Sequence, residues 1–258
     1  MGGIVFFVCA IIILWHRWYF ALPGREFRSP SWTGTLVLYL APPLCVGCYG
    51  VVLHCVAATN VIEDADVFFS YLAIDVVLSA LVVNVLPVLG LDTLADFVER
   101  RNPGAVLPLM GALLGIFALN VGANIGEGDE VYTTLFPLGL TMLAWGAYVV
   151  LLVGATRYAE KSVVARDPRS ALQLAVLIFA GSVPLARQSA GDWVSFEGTT
   201  RDILGAFPFL AGLLLIAFAF QGGVARRTSV TQVYATVIFC GLACCASLGI
   251  PADGTWSA

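Results

Sequence analysis

The chain has 258 residues, of which 59% are hydrophobic and 12% charged, with a net charge of −4. Its mean hydropathy of +0.90 leaves too little polar side chain to cover a water-soluble globule of this size, so the chain reads as an integral membrane protein. The small net charge and the arginines scattered in pairs argue against a nucleic-acid partner, and the lipid bilayer is the partner implied.

Apolar runs of about 20 residues recur, the length a helix needs to cross about 30 Å of hydrocarbon. The short alternating segments of a membrane barrel are not found. Eight spans are predicted, over 3–22, 33–58, 67–90, 105–125, 131–156, 170–188, 203–222 and 230–250. The expected fold is therefore all-α: a polytopic transmembrane bundle, with residues 1–258 forming one integral membrane domain.

The first run has no basic residue ahead of it, and Arg17 and Arg25 follow it, which argues for a retained helix rather than a cleaved signal. His16-Arg17-Trp18-Tyr19 at its end reads as an interfacial anchor of aromatic and basic residues. In the second span, Pro42-Pro43 is expected to interrupt the helix and restart it. Cys45, in Cys45-Val-Gly-Cys48, would then stand near a fresh helix N-terminus, the setting of a redox dithiol. All seven cysteines lie within apolar runs, which argues against an extracellular disulfide framework.

Orientation follows from the connections. Those after spans one, three, five and seven hold ten Lys and Arg residues, among them Arg100, Arg101, Arg157, Lys161, Arg166 and Arg169; the others hold only Arg187 and Arg201. The basic set is placed in the cytoplasm and both termini outside, in a bacterial-type cytoplasmic (inner) membrane. Acidic residues collect on the opposite side, including Glu63, Asp64, Asp66, Glu127, Asp129, Glu130 and Asp192. They read either as solvated loop tips or as a vestibule that concentrates cations by its field. Between spans three and four, Asp92, Asp96, Glu99, Arg100 and Arg101 suit a short amphipathic helix at the cytoplasmic interface.

The segment Asn60 to Phe68 aligns with Asn124 to Tyr132 at an offset of 64, and Pro103 aligns with Pro168 at an offset of 65. Three parallel hairpins flanked by one helix at each end would account for this, and binding sites in many transporters lie between such repeats.

Asp75 stands within the apolar third span, where a carboxylate costs about 2.5–3.5 kcal/mol unless it faces the bundle or a wet cavity. Asn120 and Asn124 share one face of the fourth span at i and i+4. Along that span Gly111, Gly115, Gly122 and Gly126 provide the small-residue spacing of close helix contacts. Asp75, Asn84, Asn120 and Asn124 are the expected ion pathway, with Glu127 at its outer mouth. The polar residues read equally as helix-packing hydrogen bonds.

His16 and His54 fall toward opposite ends of the bundle, which argues against haem, and no metal or other cofactor is expected. No hydrolase, zinc-protease or phosphate-loop pattern is seen, so no catalytic residue is assigned. The leading expectation is a channel or secondary transporter for a small cation or cationic solute. Its rivals are a non-catalytic accessory or assembly subunit and a membrane-embedded redox or lipid-modifying enzyme. A homo-oligomer or a membrane-complex partner fits either of the first two.

Overall fold

The structure is a computed structural model, and it describes residues 12–16, 18–20, 32–57, 59–125, 131–191, 193–221 and 229–248. Among these residues every regular element is helical. The helix α1 (Trp32–Val56) leads through the short α2 (Thr59–Glu63) to α3 (Ala65–Val85). A tight 3-10 turn at Leu86–Leu89 extends α3, and Gly90 ends it at φ 80, a left-handed conformation that costs glycine nothing. The next pair is α4 (Val106–Ala123) and α5 (Val131–Ala155). Then follow α6 (Tyr158–Val163), α7 (Pro168–Ser189), α8 (Phe196–Leu204), α9 (Phe207–Phe220) and α10 (Val230–Leu248).

Among the described residues seven stretches are long and apolar enough to cross a membrane: Leu36–Cys55, Ala65–Leu89, Pro103–Ala123, Tyr132–Ala155, Pro168–Ser189, Phe196–Phe220 and Val230–Leu248. The chain is a multi-pass helical membrane protein. These seven stretches correspond to the predicted spans from 33–58 onward. The first predicted span, 3–22, falls largely outside the described residues. The span predicted at 203–222 starts earlier, at Phe196, because α8 runs almost directly into α9 through Gly205 and Ala206.

The core is organised around α7, which packs against α4 on one side and α10 on the other, with α5, α6, α8 and α9 also touching it. Small residues make this possible. A Cβ on Gly111 would lie 2.4 Å from the Ala175 carbonyl oxygen, and one on Gly122 would lie 2.3 Å from that of Ala186. Each glycine therefore sets backbone against backbone. Both contacts advance by the same eleven residues, about three turns, so α4 and α7 run parallel. On the other side of α7, Gln173 Nε2 donates to the Gln232 carbonyl at 3.0 Å and to Thr236 Oγ1 at 2.8 Å. Cys244 lies beside Ala180 further along both helices, so α10 is parallel to α7 as well.

At the basic end of the bundle, α4 and α7 begin with the same turn, 65 residues apart. Arg101 and Arg166 take left-handed backbone at φ 54 and φ 52. Asn102 and Asp167 follow as caps, accepting from the amides of Gly104 and Arg169, and Pro103 and Pro168 open the helices. The amides of Asn102 and Asp167 donate to the carbonyls of Asp96 and Lys161, each six residues back. Those of Arg100 and Ala165 donate to the carbonyls of Ala95 and Glu160, each five back. The segment expected as an interfacial amphipathic helix is this wound turn: a wide helical turn at Ala95–Glu99 buries Asp96, Phe97 and Val98 instead of lying on the surface. Asp96 pairs with the largely exposed Arg100 at 2.7 Å. In the second turn Lys161, 3% exposed, donates to the Gln221 carbonyl at the end of α9, where the helix dipole favours a cation.

The helix α1 is not broken at Pro42-Pro43, contrary to expectation; it runs unbroken from Trp32 to Val56. Each proline lacks the N–H that the carbonyl four residues earlier would accept, which leaves Leu38 and Tyr39 without helical donors. Trp18 Nε1 donates to Leu38 at 3.2 Å and the Tyr19 hydroxyl to Tyr39 at 3.5 Å. Two aromatic donors from the N-terminal segment thus replace the two missing N–H groups, and the helix continues. Trp18, 4% exposed, is therefore a buried partner of α1, not an interfacial anchor. The same substitution recurs in α7, where Pro184 frees the Ala180 carbonyl and the Cys244 thiol faces it at 3.9 Å.

Candidate functional site

The site is built where α1, α3 and α4 meet. Asp75 lies ten residues into α3, about 15 Å along the helix axis and so near the middle of a 30 Å hydrocarbon layer. It is 1% exposed. Asn120, fully buried on α4, donates Nδ2 to Asp75 Oδ1 at 2.6 Å. One turn on, Asn124 donates Nδ2 to the Tyr49 hydroxyl of α1 at 3.0 Å and to the Asn120 carbonyl at 2.8 Å. The i, i+4 spacing thus places both amides on one buried face, as expected, and joins them to a carboxylate on one neighbouring helix and a phenol on the other.

Among the described residues no cationic side chain is paired with Asp75, and nothing donates to Asn120 Oδ1 or Asn124 Oδ1. Burying a polar atom without a partner costs about 1–3 kcal/mol, and burying an unpaired charge costs more. The helix α4 ends at Ala123, so its last carbonyls, the negative pole of its dipole, stand beside this cluster. Tyr49 also belongs to an apolar group with Leu53, Val61 and Tyr71, packed against Phe117 and Val121. Within that group the Tyr71 hydroxyl donates to Thr134 Oγ1 of α5 at 3.2 Å.

Three of the five predicted pathway residues, Asp75, Asn120 and Asn124, are brought together. Asn84 is not: nine residues beyond Asp75 on α3, about 14 Å toward the basic end, it donates to the carbonyls of Leu14 at 3.0 Å and Ala80 at 2.8 Å. It borders a small cavity of about 20 Å³ with Trp18, Asp92 and Thr93, room for one water. Glu127, the predicted outer mouth, lies outside the described residues, as do Asp129, Glu130 and Asp192. Tyr49 was missed by sequence reasoning, because a tyrosine in an apolar run carries no mark that separates it from core aromatics. Asp64 turns out to cap α3, accepting from the amides of Asp66 at 2.9 Å and Val67 at 3.4 Å, so at least one acid of the expected vestibule serves a helix end.

The cysteine pair does not form the expected redox geometry. With α1 continuous, Cys45 sits in the helix interior and not at an N-terminus, and Cys45 and Cys48 are both free thiols. His16 stacks on Phe20 and His54 stands edge-on to Phe68. On α8, Arg201 pairs with Glu197 one turn away, both exposed, while Trp193 and Phe196 pack with Tyr132 and Phe136 of α5. Among the described residues no three His, Cys, Asp or Glu side chains are grouped to hold a metal.

No protein-family model matches the chain, and neither a curated protein nor a solved structure matches it. The fold defines the class, a polytopic helical membrane protein, and any more specific role has to be argued from the buried polar cluster.

Proposed function

We propose that the protein is a channel or secondary transporter for a small cation, with Asp75, Asn120, Asn124 and Tyr49 in the pathway. The observation that carries this reading is a membrane-buried carboxylate that accepts from an amide donor, beside two amide oxygens that have no donor among the described residues. Polar groups are costly in hydrocarbon, and those in a bundle interior commonly mark ion or substrate paths. In this reading Asn84 and its water-sized cavity continue the path toward the basic end, and Glu127 stands at the opposite mouth. The basic end faces the cytoplasm of an inner membrane, so α10 ends outside.

The same reading takes the chain as tandem helical hairpins. The matched turns ahead of α4 and α7 support it, as does the sequence Arg28-Ser29-Pro30 ahead of α1, which repeats the Arg, small polar residue, Pro order of Arg101-Asn102-Pro103 and Arg166-Asp167-Pro168. Parallel packing of α4, α7 and α10 follows naturally from hairpins stacked in one orientation.

The test is ion flux in vesicles containing the purified protein, with sodium, potassium and proton gradients imposed in turn. Flux of one of these ions is expected, with a loss of tenfold or more in Asp75→Asn. A folded parent that passes none of them overturns the reading and leaves an accessory subunit of a membrane complex as the better account.

A further inference from the structure

We infer that the cluster of Asp75, Asn120, Asn124 and Tyr49 is a binding site for one dehydrated sodium-sized monovalent cation. This deepens the transport reading above and rests on the same cluster. The donor set sets the chemistry. The groups able to face a ligand are a carboxylate, two amide oxygens and a phenolic oxygen, all hard donors of the type that replaces the water shell of an alkali or alkaline-earth ion.

Charge then selects the valence. A single carboxylate, with no ion-paired side chain among the described residues, balances one positive charge. A divalent ion would remain net positive in a buried site, and calcium takes about six to eight oxygens, commonly with several carboxylates. The four side chains hold no more than five oxygens between them, which suits a small ion of low coordination number.

The unpartnered oxygens point to the same ligand. Asn120 is fully buried and Asn124 4% exposed, and each has spent its Nδ2 on a neighbour while Oδ1 accepts from nothing described. A cation satisfies both oxygens and neutralises Asp75 in one step. A proton on Asp75 removes the charge but leaves at least one amide oxygen without a donor. The C-terminal end of α4 adds its dipole, and helix C-termini are used for Na⁺ in the broken helices of transporters.

The experiment is a sodium titration of the purified protein in detergent, with choline chloride holding ionic strength constant, followed by the thermal unfolding midpoint. Potassium is titrated in parallel. A saturable rise with sodium is expected, at concentrations at least tenfold below those at which potassium acts. Asn124→Ala, which leaves the Asp75–Asn120 bond in place, is expected to weaken the sodium response tenfold or more, and Asp75→Asn to remove it. If Asp75→Asn does not fold, Asn124→Ala and the parent's ion selectivity decide the matter. No saturable sodium effect on the folded parent overturns the inference, as does a sodium effect unchanged in Asn124→Ala or a response to pH alone. Sodium binding without flux of any ion would sink the transport reading and leave the site standing. Proton flux without sodium binding would do the reverse.

Discussion

The indole of Trp18 donates to the carbonyl of Leu38, the acceptor that Pro42 leaves without its helical N–H. A carbonyl buried without a donor costs about 1–3 kcal/mol. Trp18→Phe should therefore lower stability by about that amount, measured as the thermal midpoint in detergent. In a Pro42→Ala background, where the helix supplies its own N–H, the hydrogen-bond part of the loss should vanish. Equal losses in both backgrounds would mean that Trp18 acts by packing alone.

Gly122 sets α4 directly on the Ala186 backbone of α7, with no room for a methyl group. Gly122→Ala must push the two most buried spans apart, and an overpacked core typically loses about 1–3 kcal/mol. Gly139 and Gly146 of α5 have nothing within 4 Å of the corresponding position. Alanine there should be neutral or stabilising by up to about 1 kcal/mol, since it restricts only the unfolded chain. The comparison is an unfolding experiment on the three single variants, and a Gly122→Ala as stable as the other two would refute the close contact.

Burial of Asp96 raises its carboxyl above the ordinary range, and the hydrogen bond and charge of Arg100 offset this only in part. A raised folded value means that the native state holds its proton more tightly than the unfolded chain. Stability from this group is thus fully present below the ordinary Asp range and is lost as pH rises through the folded value. Asp96→Asn should flatten the decline over that window while still accepting from Arg100. Midpoints recorded from pH 4 upward would test this, and a variant with the parent's slope would contradict it.

Arg101 and Arg166 hold the same left-handed backbone in matched turns. That conformation costs a side-chain-bearing residue roughly 1–2 kcal/mol, and glycine avoids the steric part. Arg101→Gly and Arg166→Gly should each be neutral or stabilising by up to about 1 kcal/mol, with effects of similar size at the two positions. Opposite signs would show that the two turns, although alike in hydrogen bonding, are held by different surroundings.

The sequence by itself determined the class and seven of the eight predicted spans, because runs of apolar residues the thickness of a membrane can satisfy their backbone only as helices. It also marked Asp75 and the Asn120, Asn124 pair, since a carboxylate and an i, i+4 amide pair stand out against an apolar background. Three matters were left to the tertiary structure. Pro42-Pro43 reads locally as a break, yet donors from Trp18 and Tyr19, about twenty residues away in the chain, keep α1 whole. Asn84 reads like Asn120 and Asn124, yet its place on α3 sends it to the Leu14 carbonyl instead of to Asp75. Tyr49 reads as one more core aromatic, yet the meeting of α1 with α4 turns its hydroxyl into part of the polar cluster. Each of these depends on which groups from distant segments meet in a low-dielectric interior, where an unpaired donor or acceptor is expensive, and local pattern carries no record of that pairing.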